Sequence, residues 1–260
     1  MKLIDFTAIY TLWLREILRF FRLKSRVVGS LGMPLFFLIF LGMAPVNVKV
    51  GNYIDFLTPG IIGMVLLFAS MFAGISVLWD KEFGFLKEIM VAPVSRVSIV
   101  LGRTAGGVTT AMMQGFIILA LGIPMGLKIT GIYRNFTISG FIIGFFFSIL
   151  FMILISATFI GLGLAFASKM EDMSGYSLVM NFLIFPIFFL SGALFPLDDF
   201  PLWLQYLAYI DPLTYGVDGL RGCLIGYSEF PLLLDFFLLS LSCIAMIYLG
   251  AYLFERSEVE

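Results

Sequence analysis

The stretch that decides the fold is residues 56–103, in which FLTPGIIGMVLLFASMFAGISVLW (56–79) has no charged residue and DKEFGFLKEIMVAPVSRVSIVLGR (80–103) has seven. A helix of roughly 20 apolar residues is long enough to cross the hydrocarbon core of a bilayer. The first half is therefore expected to span a membrane. The second half precedes another apolar run, and we expect it to lie where the chain meets water and partner molecules.

The same contrast between long apolar and short charged stretches continues along the whole chain. Hydrophobic residues make up 61% of it and charged residues 13%, whereas soluble proteins average about 25% charged residues. Six uncharged windows are each long enough for one span: 27–48, 56–79, 104–127, 135–168, 173–197 and 236–254. The sequence therefore predicts an all-α integral membrane protein, a single domain over residues 1–260 with six transmembrane helices.

The basic residues predict the orientation of these helices. With six spans both termini lie on one side, and that side carries twelve Lys and Arg residues against four on the other. Cytoplasmic flanks carry the excess of basic residues. We expect a multi-pass protein of the plasma membrane with both termini in the cytoplasm and, because a full-length span follows the basic region, no cleavable signal.

An amphipathic helix is predicted before the first span, over residues 10–26. Arg15, Arg19, Arg22 and Arg26 recur at intervals of four, three and four residues, which places them in one narrow arc of a helix. Such a helix lies in the membrane interface with its basic face toward water and lipid headgroups. Two interpretations stay open: an anchor that only fixes topology, or a surface that also contacts a cytoplasmic partner.

The charged segment over residues 80–95 is predicted to be a second amphipathic helix, followed by a turn. Pro93 disfavours helical geometry just before it, and Ser95 can cap the next helix by accepting a backbone N–H. That next helix runs directly into the third span. The segment is either a rigid element that transmits force to two spans or a plain linker resting on lipid.

The outer segment over residues 195–230 is too polar for another span and too apolar for a free loop. It contains Pro196, Pro201 and Pro212 together with Trp203 and Asp211. We expect short helices that enter the outer leaflet and return, which is tolerated where protein surrounds the backbone. The alternative is an ordered outer loop that never enters the membrane. Small residues repeat at every fourth position in several spans, and these stripes predict close helix packing.

The chemistry that the chain lacks limits its function. It has no histidine, its six windows contain no charged residue, and its two cysteines fall in different regions. Coupled carriers usually place ionisable residues inside the membrane, and no nucleotide-binding loop is present. We expect no catalytic, metal or cofactor site, so energy for uphill transport must come from outside the chain. A passive channel or a structural membrane subunit is the alternative; a membrane enzyme is disfavoured.

Two motifs resemble the permeases of the ABC type-2 transporter family, in the branch of drug, nodulation-factor and polysaccharide exporters. The inner motif comprises Glu82, Gly84, Leu86, Glu88, the run 92–96 (APVSR) and Gly102-Arg103. The outer motif comprises Ser191-Gly192, the run 195–197 (FPL), Pro201, Trp203-Leu204, the run 211–215 (DPLTY), Asp218 and Leu220-Arg221. The chain departs from the family at Phe85 and Lys87, where Thr and Glu are frequent.

The resemblance implies a mechanism and partners. Such permeases form homodimers or heterodimers and bind two copies of a cytoplasmic ABC ATPase subunit. It assigns residues 82–88 to a coupling helix, with Pro93 and Ser95 shaping its exit. Residues 10–26 become the interface helix beside it, and the outer segment becomes a re-entrant gate that includes Pro196, Pro201, Trp203, Asp211 and Pro212. Lipophilic drugs, lipids and lipid-linked glycans all fit as cargo, membrane lipids are the other contacts, and no nucleic acid is expected.

Overall fold

The computed structural model describes residues 5–22, 24–43, 52–84, 95–133 and 137–256, without the side chains of residues 24–28, 96 and 255. These residues form an all-helical bundle. Its helices are α1 Phe6–Arg22, α2 Lys24–Gly42, α3 Tyr53–Ala73, α4 Ile75–Glu82, α5 Arg96–Gly122, α6 Ile138–Lys169, α7 Met173–Leu190, α8 Leu202–Ile210, α9 Pro212–Ile225 and α10 Leu232–Glu255, with one 3-10 turn at Leu197–Asp199.

Five helical segments in this part of the chain are long and apolar enough to cross a membrane: Tyr53–Glu82, Val97–Gly122, Ile138–Lys169, Met173–Leu190 and Leu232–Phe254. The first of them comprises α3 and α4. Within α2 the apolar stretch Gly29–Gly42 is shorter. The all-helical membrane fold predicted from the sequence is therefore confirmed, and among the described residues five of the six predicted spans have a helix of sufficient length.

The helix α3 forms the centre of the bundle. In its apolar window 72% of residues are buried, against 17% for the window of α10 at the periphery. Its first turn contains the buried Asp55, which accepts a hydrogen bond of 2.8 Å from the backbone N–H of Lys128 and so fixes the connection after α5. Gly74 separates α3 from α4, and a β-carbon at this position would lie 2.2 Å from the buried hydroxyl of Tyr176, so only glycine fits there.

Small residues allow the long helices to approach closely, as the stripes in the sequence predict. A β-carbon on Gly161 of α6 would lie 2.6 Å from the backbone of Met246, and one on Gly250 of α10 would lie 2.5 Å from the carbonyl oxygen of Gly161. The backbones of α6 and α10 thus touch directly. In a bilayer this kind of van der Waals contact is a main source of helix association.

The N-terminal helix begins and ends earlier than its predicted bounds of 10–26. It starts at Phe6 because the side chain of Asp5 accepts the backbone N–H of Thr7 and thereby caps the first turn. It ends at Arg22, and the side chain of Arg26 lies outside the described part of the chain.

One side of α1 packs along the first half of α5. The backbone N–H of Asp5 donates to Ser98 at 2.8 Å, and the indole of Trp13 donates to Thr109 at 3.0 Å. Glycines in α5 make this approach possible: a β-carbon on Gly102 would lie 2.9 Å from that of Leu12. The opposite side exposes apolar residues, namely Phe6, Tyr10, Leu18 and Phe21.

Candidate functional site

Three arginines converge on Asp80 at the end of the bundle that contains α1 and α4. The Asp80 carboxylate is only 5% exposed and accepts hydrogen bonds from Arg15 and from Arg103, the latter at 2.6 Å. Arg19 lies 3.9 Å from the other carboxylate oxygen, with its guanidinium 5.4 Å from the centre of the Trp79 ring. These four charged residues, the Asp80 cluster, connect α1, α4 and α5.

The basic face of α1 does not point wholly toward water, as the sequence predicted, because part of it faces Asp80. Arg22 is exposed, but the side chains of Arg15 and Arg19 are about one quarter exposed and turn toward Asp80. The reason is that burying a carboxylate without partners is costly, and helix periodicity brings the two arginines to the same side. The sequence alone gave no sign that Asp80, at the edge of an apolar window, would be buried.

The cluster carries three positive charges and one negative charge, and a second carboxylate, that of Glu16, lies 3.6 Å from Arg15. Part of the hydrogen-bonding capacity of the cluster is unused. Nη1 of Arg19 and Nε and Nη1 of Arg103 are buried without a hydrogen-bond partner among the described residues. A void of about 20 Å³ lies between Glu16 and Arg103, which is enough space for one water molecule. Buried polar atoms of this kind normally have a partner, protein or otherwise.

The predicted coupling segment comes directly after Asp80 in the chain. Glu82 is the last residue of α4 and is exposed; Gly84 has a φ of +72°, a value that favours glycine, so the chain turns there. Leu86, Glu88 and Pro93 lie outside the described residues. Ser95 caps α5 as predicted, since its side chain accepts the backbone N–H of Ser98 at 3.2 Å.

A cavity of about 650 Å³ lies beside the Asp80 cluster, between α1, α2, α3, α4 and α5, and the charged side chains of Glu16 and Arg19 are part of its wall. Its wall is mainly apolar, with Phe20, Met33, Phe68, Phe72 and Trp79 among its residues. At its polar side Ser30 donates to the side-chain oxygen of Gln114 at 2.7 Å, so these two groups satisfy each other. The volume falls in the range of small-molecule sites, roughly 300–1,000 Å³.

The opposite end of the bundle is closed by the outer segment, which consists of short helices. Asp211 caps α9 by accepting the N–H of Leu213 at 2.9 Å, and Pro212 occupies the first helical position. Burial raises the pKa of Asp211 to about 8, although the N–H of Leu213 lowers it. Trp203, in α8, is 64% exposed, whereas α9 is almost wholly buried.

Of the predicted gate residues, Asp211 and Pro212 lie together at the α8–α9 corner. Pro201 immediately precedes α8, and Pro196 precedes the 3-10 turn. Each of the four stands at the start of a helical element, where a fixed φ or a side-chain cap is favourable. The structure therefore gives them a shaping role in the backbone of the outer segment.

Arg221 joins this outer segment to α3. The guanidinium is buried, donates to the carbonyl oxygens of Phe56, Gly192 and Ala193 at 2.8–3.1 Å, and lies 3.6 Å from the centre of the Phe56 ring. Burial lowers its pKa to about 10. Sequence reasoning counted Arg221 among the basic residues opposite the termini and as part of a motif; the signal for a larger role was a basic residue in a mainly apolar helix.

Two carboxyl groups, those of Asp218 and Asp235, meet beneath α9. The Asp218 carboxyl accepts the backbone N–H groups of Glu229 and Phe230 at 2.9 Å, and the neighbouring carboxyl of Asp235 in α10 interacts with it electrostatically. Both oxygens of Asp235 are buried without a hydrogen-bond partner among the described residues. Burial raises the pKa of Asp218, against the lowering effect of these N–H groups. The sequence showed Asp235 only as the residue before an uncharged window, so its burial against a second carboxyl was missed.

Comparisons with known proteins agree with this architecture. The family model described as ABC-2 type transporter matches residues 7–225. The putative transport permease ycf38 of Cyanophora paradoxa is 31% identical over 212 residues, covering 78% of this chain and 70% of that protein. The inner membrane transport permease YadH of Escherichia coli K12 is 26% identical over 263 residues and covers 96% of both chains.

A third relative carries a more specific name. The probable multidrug ABC transporter permease YbhR of Escherichia coli K12 is 26% identical over 168 residues, which cover 64% of this chain and 43% of that protein. The family match extends from α1 through α9 and so includes the Asp80 cluster, the large cavity and the Arg221 contacts. This chain belongs to the ABC-2 type transporter family.

Proposed function

We propose that this chain is the membrane-spanning subunit of an ATP-driven ABC exporter, with six transmembrane helices and both termini in the cytoplasm. Two copies, or one copy and a related permease, form the translocation path. Two copies of a separate ABC ATPase subunit bind on the cytoplasmic side and supply the energy. The cargo is a lipophilic drug, a lipid or a lipid-linked glycan.

The observation that carries this proposal is the Asp80 cluster at the start of the coupling segment. A movement imposed on residues 82–88 reaches α4 first, since Glu82 is its last residue. Asp80, one helical half-turn earlier, is held by Arg15 of α1 and Arg103 of α5. Ion pairs with such short contacts transmit displacement, so α1, α4 and α5 move together when the ATPase subunits close.

Co-purification with candidate ABC ATPase subunits tests this assignment. Charge reversal at Glu82 and Glu88 (E82K and E88K) is expected to weaken assembly and reduce ATP turnover of the complex. The matched control is Glu171→Lys, at an exposed position in the connection between α6 and α7 at the same end of the bundle. Unchanged assembly and turnover in E82K and E88K would contradict the coupling role.

A transport assay on the same preparation distinguishes an exporter from the alternative, a passive channel. In proteoliposomes an exporter moves cargo only when the ATPase subunit and ATP are both present. Flux that is equal with and without ATP would favour a channel and overturn the proposed function.

A further inference from the structure

The carboxyl group of Asp235 points into the contact between α9 and α10. At one end of this contact a β-carbon on Gly222 of α9 would lie 2.4 Å from Cδ2 of Leu232. At the other end a β-carbon on Gly216 would lie 3.7 Å from Cδ2 of Leu239. Asp235 stands about one helical turn from each leucine, so all three side chains share one face of α10. The aspartate is therefore held against the middle of α9, and it is 0% exposed.

The hydrogen bonds of this contact are incomplete. The carboxyl group that Asp235 meets on α9 is that of Asp218, with which it interacts electrostatically. Asp218 has donors of its own, because it accepts the backbone N–H groups of Glu229 and Phe230 at 2.9 Å. Both oxygens of Asp235 are buried without a hydrogen-bond partner among the described residues. Two carboxyl groups thus face each other, and the donor that would join them is missing.

The charged groups around the two aspartates carry an excess of negative charge. Arg221 of α9 and Glu229 of the following loop both interact with Asp218. Asp198 acts on Glu229, and Tyr53 of α3 acts on Arg221. The Nε and one terminal nitrogen of Arg221 donate to backbone carbonyl oxygens. One arginine therefore stands among three carboxyl groups, an arrangement that favours the protonation of one of them.

The remaining neighbours of Asp235 do not balance a negative charge on it. Tyr215 and Cys223 of α9 interact with it electrostatically, but the Tyr215 hydroxyl donates to a backbone carbonyl oxygen of α8 at 2.6 Å. Phe151 of α6 lies against both α9 and α10. The charged residues of α5 and α6 stand at the opposite end of the bundle. An ionised carboxylate without a partner is very costly in such surroundings, and a carboxyl group there is neutralised instead.

We propose that this contact is a proton-binding site, in which protonated Asp235 donates a hydrogen bond to the carboxylate of Asp218. The bound proton is the missing donor and removes one negative charge. Asp218 is the acceptor, because its two backbone N–H groups stabilise the ionised form. When the proton passes to water, two carboxylates face each other and α9 is pushed away from α10. That the proton comes from outside the cell rests on the orientation in the proposed function; the binding itself does not.

Infrared spectroscopy detects this proton directly, because a protonated carboxyl group has a C=O stretch that a carboxylate lacks. At neutral pH, Asp235→Asn is expected to remove one such band from the spectrum of the chain in a lipid film. Asp199→Asn is the matched control, since this aspartate is exposed in the same outer segment. Burial raises the pKa of Asp211 to about 8, so this residue has a band in every variant and the assignment uses the difference between spectra.

The effect of the proton on α9 has a definite sign. An aspartate in an unfolded chain ionises near about pH 4, whereas Asp235 keeps its proton in the folded chain to a higher pH. The stabilisation by the proton is therefore complete below that value and is lost as the pH rises through the range in which the infrared band disappears. Over this range the equilibrium constant for opening α9 is expected to rise by up to about tenfold per pH unit.

Hydrogen–deuterium exchange of residues 212–225, corrected for the intrinsic pH dependence of exchange, measures this opening. In the unmodified chain and in Asp199→Asn, the protection of α9 is expected to fall as the pH rises. In Asp235→Asn it should change less by that same factor, because the amide N–H donates to Asp218 at every pH. Asp218→Asn is expected to lower protection at every pH, since an amide group cannot accept both backbone N–H groups as the carboxylate does.

Several outcomes overturn the inference. An unchanged infrared band in Asp235→Asn shows that this residue holds no proton, and an equal pH dependence in Asp235→Asn and the unmodified chain shows that the proton does not hold α9. If protection follows the Na⁺ concentration at constant pH, the contact binds a metal cation instead. The pH titration of the band in the unmodified chain needs no variant to fold. All these measurements use the chain alone, so failure of an ATPase subunit to bind contradicts only the proposed function.

Discussion

At the scale of single residues, Asp80 determines the charge balance of one end of the bundle. Its buried carboxylate lies no more than 3.9 Å from three guanidinium groups. Burying such charges is costly, and their mutual attraction offsets that cost only while every member is present. The cluster therefore contributes little net stability as a whole, but the loss of its one carboxylate leaves like charges facing one another.

Replacing Asp80 by Asn is expected to lower the free energy of unfolding by roughly 3–5 kcal/mol, the usual cost of removing one partner of a buried ion pair. Thermal unfolding of the detergent-solubilised chain measures this. The control is Asp199→Asn, an exposed carboxylate at the opposite end. Adding Arg103→Gln to Asp80→Asn is expected to restore part of the loss, since it removes a buried positive charge. If the two changes are simply additive, the residues are not coupled.

At the scale of helices, the contact between α6 and α10 depends on glycine. A methyl group on Gly161 would meet the backbone of Met246, which cannot rotate away as a side chain could. Gly161→Ala is therefore expected to cost about 1–3 kcal/mol, as overpacking does. Gly32→Ala is the matched control: it has open space around it and is expected to stabilise α2 by about 0.5–1 kcal/mol. Equal effects on the unfolding midpoint would contradict the close contact.

The attachment of the outer segment to α3 depends on the shape of Arg221 as well as on its charge. Its planar guanidinium group donates to three carbonyl oxygens, those of Phe56, Gly192 and Ala193. The single ammonium group of Lys cannot reproduce that geometry. Arg221→Lys is expected to loosen α9 although the charge is kept. Cys223 of α9 is 1% exposed, so its labelling by a thiol reagent reports the change.

In a background with Cys243→Ser, the labelling rate of Cys223 is expected to rise several-fold in Arg221→Lys. Arg256→Lys, at the other end of the bundle, serves as the control and should leave the rate unchanged. An equal rate in the parent and in Arg221→Lys would show that the charge alone holds the segment.

At the scale of the whole molecule, the helices could be predicted from the sequence, but the contacts between distant residues could not. Uncharged windows, prolines and capping residues can be read from the local sequence. The long spans, the Ser95 cap and the Asp211–Pro212 corner could therefore be predicted. The Asp80 cluster joins residues 65 and 23 positions apart in the chain, and Arg221 bonds to Phe56 across 165 positions. No periodicity within a segment encodes such pairs, because they depend on how the helices are arranged.

The arrangement of charges in the folded bundle gives the last prediction, its orientation in the membrane. The Asp80 cluster, Arg22, Lys169 and Arg256 lie at one end, and the outer segment with Asp198 and Asp199 lies at the other. Basic flanks are retained in the cytoplasm. Green fluorescent protein fused at the C-terminus should therefore fluoresce, and alkaline phosphatase fused there should be inactive. The reverse should hold for each reporter inserted after Asp199. An active phosphatase at the C-terminus would show that the bundle has the opposite orientation. Residues 82–88 would then lie outside the cell, where no cytoplasmic ATPase could act on them.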